Sequence, residues 1–201
     1  MIKISEYDAQ LVADIVKFRR DTYEHSRRNP SQLNEWSSDE FDHQATHVVM
    51  FDEHEQIIGV VRIIAGENWT IDPYYDFKYD KVNGVEFGRL AISRPSHNGQ
   101  RVLSELIKAA CRHCAAQGRT HFYGFVIARL KKELQRLRVP FEELSPAVAP
   151  MGEDSFLIRF GIEDLIRFQP QRGTENTNGR KDGKTEHGNQ DHVHRVSGAR
   201  G

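Results

Sequence analysis

The 201-residue sequence predicts a mixed α+β fold, a three-layer α/β/α arrangement in which a twisted sheet is flanked by helices. Two β-branched runs, Thr46 to Phe51 and Ile57 to Ile64, flank Asp52-Glu53-His54-Glu55 as the arms of an antiparallel hairpin. A strand, a long helix and another strand then occupy Val85 to Ile127, and a closing pair of strands follows. Charged residues also stand inside runs that should be apolar. An unpaired buried charge costs several kcal/mol, so these need partners or a task.

The elements follow in order. Ile2-Lys3-Ile4 is a short opening strand, and a helix from about Asp8 places Leu11, Val12, Ile15, Val16 and Phe18 on its buried side, ending before Asn29-Pro30. Asn29 to Asp42 is polar and reads as a loop or short helix able to fold over a site. After the hairpin comes a strand from Val85 to Ser93. A turn-rich connection, Ser93 to Gly99, leads into the long helix ending at Gly118. His121 to Ile127 is a strand, a helix runs through about Arg138, and strands near Phe141–Leu144 and Phe156–Phe160 complete the sheet.

Composition sets two domains of expectation: a folded unit over residues 1–168 and a disordered polar tail over 169–201. The tail lacks aromatics and has only Val193, Val196 and Ala199 as apolar residues, too few to offset its chain entropy. Its His187, His192 and His194 read as solvated residues rather than metal ligands. The net charge of −1 argues against a protein that coats nucleic acid or an anionic membrane. No apolar run approaches the roughly 18 residues of a membrane span, and the first residues lack a signal peptide's apolar centre. The default expectation is therefore cytoplasmic.

Cys111 and Cys114 form a C-x-x-C pair, which invites a redox or metal reading. They share helical spacing with Leu103, Leu106, Ile107 and Ala110, so both thiols are expected in the core, with no metal site. The sequence contains no Ser/Cys–His triad signature, no P-loop and no HExxH. His47 reads as a hydrogen-bonded core or rim histidine before it reads as a base. Trp36 and Trp69 are expected to cover apolar surface near a loop.

Three constellations could carry chemistry. The first is Val85-Glu86-Phe87-Gly88-Arg89-Leu90-Ala91-Ile92. Strand alternation places Glu86, Gly88 and Leu90 on one face and Arg89 on the other. The missing side chain at Gly88 lets a ligand come close. A carboxylate beside a partly dry pocket can act as a general base toward an ammonium, which must lose a proton before it attacks. Glu86 is the candidate. An ion pair with Arg62 or Arg89 that orders the sheet is the alternative, and the two are compatible.

The second is Asp39 and Asp42 with Arg19 and Arg62. An acceptor bearing an ammonium and a carboxylate wants acidic and basic groups together, and arginine's planar fork suits a carboxylate. Loop fastening is the competing reading. The third is the basic series Arg94, Arg101, Lys108, Arg112 and Arg119, a surface for an acidic partner or a simply solvated helix face.

Taken together, Arg19…Tyr23, Asp39-x-x-Asp42, Arg62 ending its strand, Glu86-x-x-Arg89 and a later Arg129 resemble the acyl-homoserine-lactone (autoinducer) synthases and the related N-acyl amino acid synthases. Tyr23 stands for the commoner Phe, and Gly88 takes a Ser position. Ala45-Thr46-His47 and Gly88 to Ser93 are closer to the N-acyl amino acid synthases and exosortase-associated acyltransferases. Ile63-Ile64-Ala65-Gly66 replaces a Leu-Pro-Thr-like run.

The resemblance covers about residues 1 to 160. It implies a GNAT-like fold and an N-acyltransferase that moves a fatty acyl group from an acyl carrier protein or CoA thioester to an amino-acid-type amine. The product would be an N-acyl amino acid or an acyl-homoserine lactone, a signal in quorum sensing or a lipid. It implies Glu86 as base, with Arg19, Tyr23, Asp39, Asp42, Arg62 and Arg89 forming or bracing the acceptor pocket. Donor contacts would come from Leu90, Ala91, Ile92, Gly99 and Arg129. No cofactor is bound permanently; S-adenosylmethionine or an amino acid is the acceptor. In the GNAT pyrophosphate loop a second small residue follows the glycine matched by Gly99; here Arg101 crowds that position, which weakens the case for ordinary acetyl-CoA binding. A donor carried on an acyl carrier protein does not depend on those contacts. Two alternatives stay open: a short-chain acetyltransferase using acetyl-CoA, and a catalytically silent ligand-binding domain of the same fold.

Overall fold

The computed structural model describes residues 1–6, 8–25, 33, 37–93, 99–148 and 154–168. The expectations for the tail, for Trp36 and for Arg94 lie outside these residues.

Strand β1 (Ile2–Ser5) leads into helix α1 (Ala9–Glu24). Asp8 caps that helix, its carboxylate accepting the Leu11 amide at 3.1 Å. The buried stripe of α1 extends beyond the aliphatic residues, because Ile15, Arg19 and Tyr23 recur every four residues on one face. A single turn of 3₁₀ helix (Glu40–His43) precedes β2 (Thr46–Phe51) and β3 (Ile57–Ile64). The β2–β3 hairpin closes on Asp52, whose Oδ1 accepts the amides of His54 and Gln56, each at 2.9 Å.

Strand β4 (Gly84–Ile92), helix α2 (Gly99–Ala116) and strand β5 (His121–Ile127) make the expected crossover unit. Helix α3 (Ala128–Arg136), β6 (Glu142–Glu143) and β7 (Ser155–Gly161) follow. A short α4 (Ile162–Arg167), absent from the sequence reading, buries Ile162 and Leu165 in the core that α2 shares. The sheet order is β1-β2-β3-β4-β5-β7-β6, antiparallel except between β4 and β5.

Helix α1 covers one face of the sheet over Val49, Val60 and Ala91; α2 covers the other over Val61, Ile63, Val85 and Phe122. Cys111 and Cys114 are buried on the α2 side, where burial pushes both thiols up to about 12. They pack as the small hydrophobes the spacing predicts. Gly59 permits the close approach of α2, since a Cβ there would lie 2.6 Å from Val102. Among the described residues no helix is long and apolar enough to cross a membrane.

Two irregularities in the sheet position everything that follows. The β4–β5 ladder holds only from Gly84↔His121 to Glu86↔Tyr123, and beyond Glu86 the strands part. In the β3–β4 ladder Arg62 pairs with Gly88 and Val60 with Ala91, so one extra residue sits in β4. This bulge centres on Arg89, whose φ of 54° is left-handed.

Candidate active site

The first half of the site is a buried ionic network. The 3₁₀ turn is a capping box: the Asp39 carboxylate accepts the Phe41 amide, and that of Asp42 accepts the Asp39 amide. This orients both aspartates toward the sheet. Arg19 of α1 donates to Asp42 at 2.7 Å. Arg62 of β3 bridges the pair, at 2.6 Å from Asp39 and 3.1 Å from Asp42. Arg89 completes the set at 2.7 Å from the second oxygen of Asp39. The sequence reading placed Arg89 on the opposite face from Glu86 and Gly88, with Leu90 beside them. The bulge reverses this: Arg89 reaches the Asp39 side, and Leu90 packs into the α2 core.

Burial alone would raise the Asp39 carboxyl. The hydrogen bond and charge of Arg62, joined by Arg89, outweigh it and hold it down at about 2. Asp42 is likewise desolvated, yet Arg19 and Arg62 keep it below its ordinary value. His47 sits beneath this network. Its Nδ1 lies 3.3 Å from a guanidinium nitrogen of Arg19 and its Nε2 3.1 Å from the Asp42 carbonyl. A guanidinium only donates and a carbonyl only accepts, so His47 is the neutral tautomer with its proton on Nε2. Burial and the Arg19 charge push its pKa down to about 4, in accord with that assignment. His47 is thus a hydrogen-bonded core residue.

Glu86 stands at the fork where β4 and β5 separate, and it is buried. Of the two ion pairs considered from sequence, that of Glu86 with Arg62 forms, at 3.8 Å, and that with Arg89 does not, since Arg89 serves Asp39. Glu86 is also clamped by the segment between β3 and β4, to which no sequence pattern assigns an element. Its Oε2 accepts the amides of Thr70 at 2.6 Å and Ile71 at 3.3 Å, and its Oε1 accepts the Thr70 hydroxyl. Burial raises its pKa, against the opposing pull of Thr70, Arg62 and Ile71. Among the described residues, a Cβ built on Gly88 would have only Glu86 Oε1 within 4 Å, at 3.8 Å, so the space above Gly88 faces that oxygen.

The fork encloses a cavity of about 170 Å³. Tyr23, Arg62, Thr70, Glu86, Gly88 and Arg89 line one end, and Leu103, Ile107, Phe125, Leu130, Leu134 and Phe160 line the other. The cavity thus has a charged, hydrogen-bonding end, here called the mouth, and an apolar end, here called the interior. The Tyr23 hydroxyl donates to the Leu90 carbonyl at 3.4 Å across the mouth.

The structure brings together Glu86, Tyr23, Arg62 and Arg89 on the cavity wall, with Leu90 beside them, and sets Arg19, Asp39 and Asp42 immediately behind. It does not bring Ala91, Ile92, Gly99 or Arg129 to the wall. Ala91 is buried against α1, Gly99 opens α2, and Arg129 is exposed on α3. Within the basic series Arg101 and Arg112 are exposed and Lys108 pairs with Glu105. Arg119 instead turns toward the Lys81 and Val82 carbonyls. Trp69 is buried among Tyr79 and Tyr123, with the Lys81 ammonium 5.0 Å over its ring. That cluster anchors the neighbouring Thr70. The only signal for Thr70 in the sequence was a Trp amid polar residues, which marks a buried anchor but not its neighbour's partner.

Comparison with known proteins finds this architecture in acyltransferases. A family model described as an acetyltransferase (GNAT) domain matches residues 18–108. Among solved structures, the acyl-homoserine-lactone synthase LasI superposes with a TM-score of 0.67 at 15% identity, covering 81% of this chain and 89% of its own. TofI, solved in a ternary complex with an inhibitor and MTA, has the same TM-score and identity, with 85% and 98% covered. BjaI, a CoA-dependent acyl-homoserine lactone synthase solved with SAM and isopentyl-CoA, has a TM-score of 0.64 at 14% identity, with 82% and 85% covered. No curated protein matches the chain by sequence.

Proposed function

We propose that this chain, built on the fold shared by GNAT acyltransferases and acyl-homoserine-lactone synthases, is an N-acyltransferase. It moves a fatty acyl group from a thioester to the amine of an amino-acid-type acceptor. The observation that carries the reading is the two-ended cavity at the β4–β5 fork, with Glu86 Oε1 facing open space and an apolar interior beyond it. An acetyl group would need only the mouth. The apolar interior favours a longer chain.

The acceptor's ammonium gives a proton to Glu86, and the free amine attacks the thioester carbonyl. The C–S bond breaks as the C–N bond forms, and the departing sulfur leaves as a thiol. One proton ends on that sulfur and one passes to solvent. Arg62 and Arg89, braced by Asp39, Asp42 and Arg19, face an acceptor carboxylate, and Tyr23 closes the mouth. β4 lacks a ladder partner toward β5 beyond Glu86, so its backbone offers hydrogen bonds to the donor's pantetheine amides. The donor is an acyl carrier protein or CoA thioester. The acceptor is S-adenosylmethionine or an amino acid, giving an acyl-homoserine lactone or an N-acyl amino acid.

The test is a mass-spectrometric comparison of lipophilic extracts from cells expressing the wild-type chain and Glu86→Gln. New masses of a fatty acyl group joined to homoserine lactone or an amino acid, lost in the variant by about 10²-fold or more, support the reading and name the acceptor. Identical extracts from two folded proteins, together with acetyl transfer from acetyl-CoA in vitro, would replace it with the short-chain alternative.

A further inference from the structure

The two oxygens of Glu86 keep different company. Oε2 is held by the Thr70 and Ile71 amides, groups that can only donate. Oε1 is held by the Thr70 hydroxyl, and it is this oxygen that faces the space over Gly88. A hydroxyl can donate to a carboxylate and, after rotating about its C–O bond, accept from a carboxylic acid. No other partner of Glu86 can do both, because Arg62, at 3.8 Å, is also donor-only.

We propose that Thr70 is a positioning residue that makes Oε1 the proton-accepting oxygen of Glu86 and stabilises both of its protonation states by reversing the direction of one hydrogen bond. This rests on the acyltransfer reading given above. In the resting state Thr70 Oγ1–H donates to Oε1. The acceptor's ammonium transfers a proton to Oε1, leaving a neutral amine and a carboxylic acid. The new Oε1–H then donates to Thr70 Oγ1, whose own proton turns outward. After the C–S bond has broken, Oε1 releases its proton and Thr70 turns back. The backbone clamp on Oε2 stays fixed throughout, so the carboxyl never rotates away from the cavity.

The charged and titratable groups around Glu86 are consistent with this division of labour. Arg62 of β3 has Asp39 and Asp42 behind it, with Arg89 bound to Asp39 in turn. Tyr79 comes from the segment between β3 and β4, and Tyr123 stands beside Glu86 in the β4–β5 ladder. Tyr23 of α1 lines the same cavity. None of these hydrogen-bonds to Oε1; among the described residues Thr70 alone does.

The experiment compares the full chain with Thr70→Ser, Thr70→Val and Glu86→Gln. The Glu86 carboxyl is titrated by infrared difference spectroscopy without substrate, the Glu86→Gln spectrum identifying its band. Thr70→Val should move that titration to higher pH, because the charge-assisted bond lost from the carboxylate is stronger than the neutral one lost from the acid, and Thr70→Ser should leave it in place. Thiol release from octanoyl-CoA, with the standard amino acids and S-adenosylmethionine supplied together, gives the second reading. Thr70→Val should lower kcat about tenfold at unchanged KM for the thioester, corresponding to one hydrogen bond to a charged group. It should displace the acid limb of the pH profile in the same direction, and Thr70→Ser should restore both. An unmoved titration in Thr70→Val, or a Thr70→Ser displacement as large as that of Thr70→Val, overturns the proposal. If even the wild-type chain releases no thiol from octanoyl-CoA or from an octanoyl acyl carrier protein, the acyltransfer reading fails, and the infrared titration still decides whether Thr70 governs Glu86.

Discussion

The two ends of the cavity are built on opposite physical principles. At the mouth, Arg19, Asp39, Asp42, Arg62 and Arg89 are brought from four different elements into contacts of 2.6–3.1 Å, nearly all out of water. Each charge there is tolerable only because the others are present. In the interior, Leu103, Ile107, Leu130, Leu134 and Phe160 come from α2, α3 and β7 and make non-directional contacts. The loss of one methylene there is local. The mouth should therefore fail as a unit, whereas the interior should respond by degrees and set which chain fits.

The sharpest break in that comparison is Arg62→Met. It leaves Asp39 and Asp42 facing each other without their bridge, a loss expected to cost about 3–5 kcal/mol of stability. Urea unfolding would read it as a fall in midpoint, and product formation should vanish even where the protein stays folded. A variant as stable as wild type would mean that Arg62 does not organise the mouth.

Acid should weaken the mouth before it touches the interior. His47 has a pKa of about 4 in the fold against 6.5 for the free side chain, so its contribution is full above pH 6.5. Between pH 6.5 and about 4 the unfolded chain takes up a proton that the fold refuses, and stability falls by about 3 kcal/mol. Asp39, depressed to about 2, adds a second decline from about pH 3.8 down to 2, where the unfolded chain again binds the proton first. Thermal melts of His47→Gln across pH 2–7 should lose the first decline and keep the second. An unchanged slope would remove His47 from the network.

The smallest effect belongs to the interior. Ile107→Val removes one methylene from the cavity wall, expected to cost about 0.5–1.5 kcal/mol of stability. It should shift preference toward the next longer acyl thioester by about 1 kcal/mol, roughly fivefold. Competition between acyl-CoA chain lengths would measure it. A uniform loss of activity without a change in preference would show that the chain does not lie against α2.

Much of this was readable from residue patterns. Thr46–Phe51, Ile57–Ile64 and His121–Ile127 stand where β-branched and aromatic runs put them, and the cysteines are where helical spacing sends them. Local rules of period and turn chemistry decide such features, and neighbours in sequence carry them. Arg19, Asp39, Asp42, Arg62 and Glu86 were legible as charges out of place. Their partners were not, because an ion pair depends on which elements fold against each other. The orientation of Arg89 was misread because strand alternation assumes an unbroken ladder, and a single extra residue in β4 reverses it. Thr70 was invisible for a related reason: two of the three hydrogen bonds to Glu86 come from backbone amides, which every sequence possesses.

The chain's sequence alone thus determined an α/β/α sandwich, the order of its strands and helices along the chain, and a set of charges that must find one another. Periodicity and burial energy act over a few residues and need no tertiary information. The tertiary structure decided which carboxylate stays outside the Asp39–Asp42 arginine network, which segment clamps it, and where two parallel strands separate to leave room for a substrate. Those outcomes hang on the β4 bulge, on three residue pairs between β4 and β5, and on a loop carried to Glu86 by its aromatic anchor. Each is a long-range fit of packed elements, which no local pattern encodes.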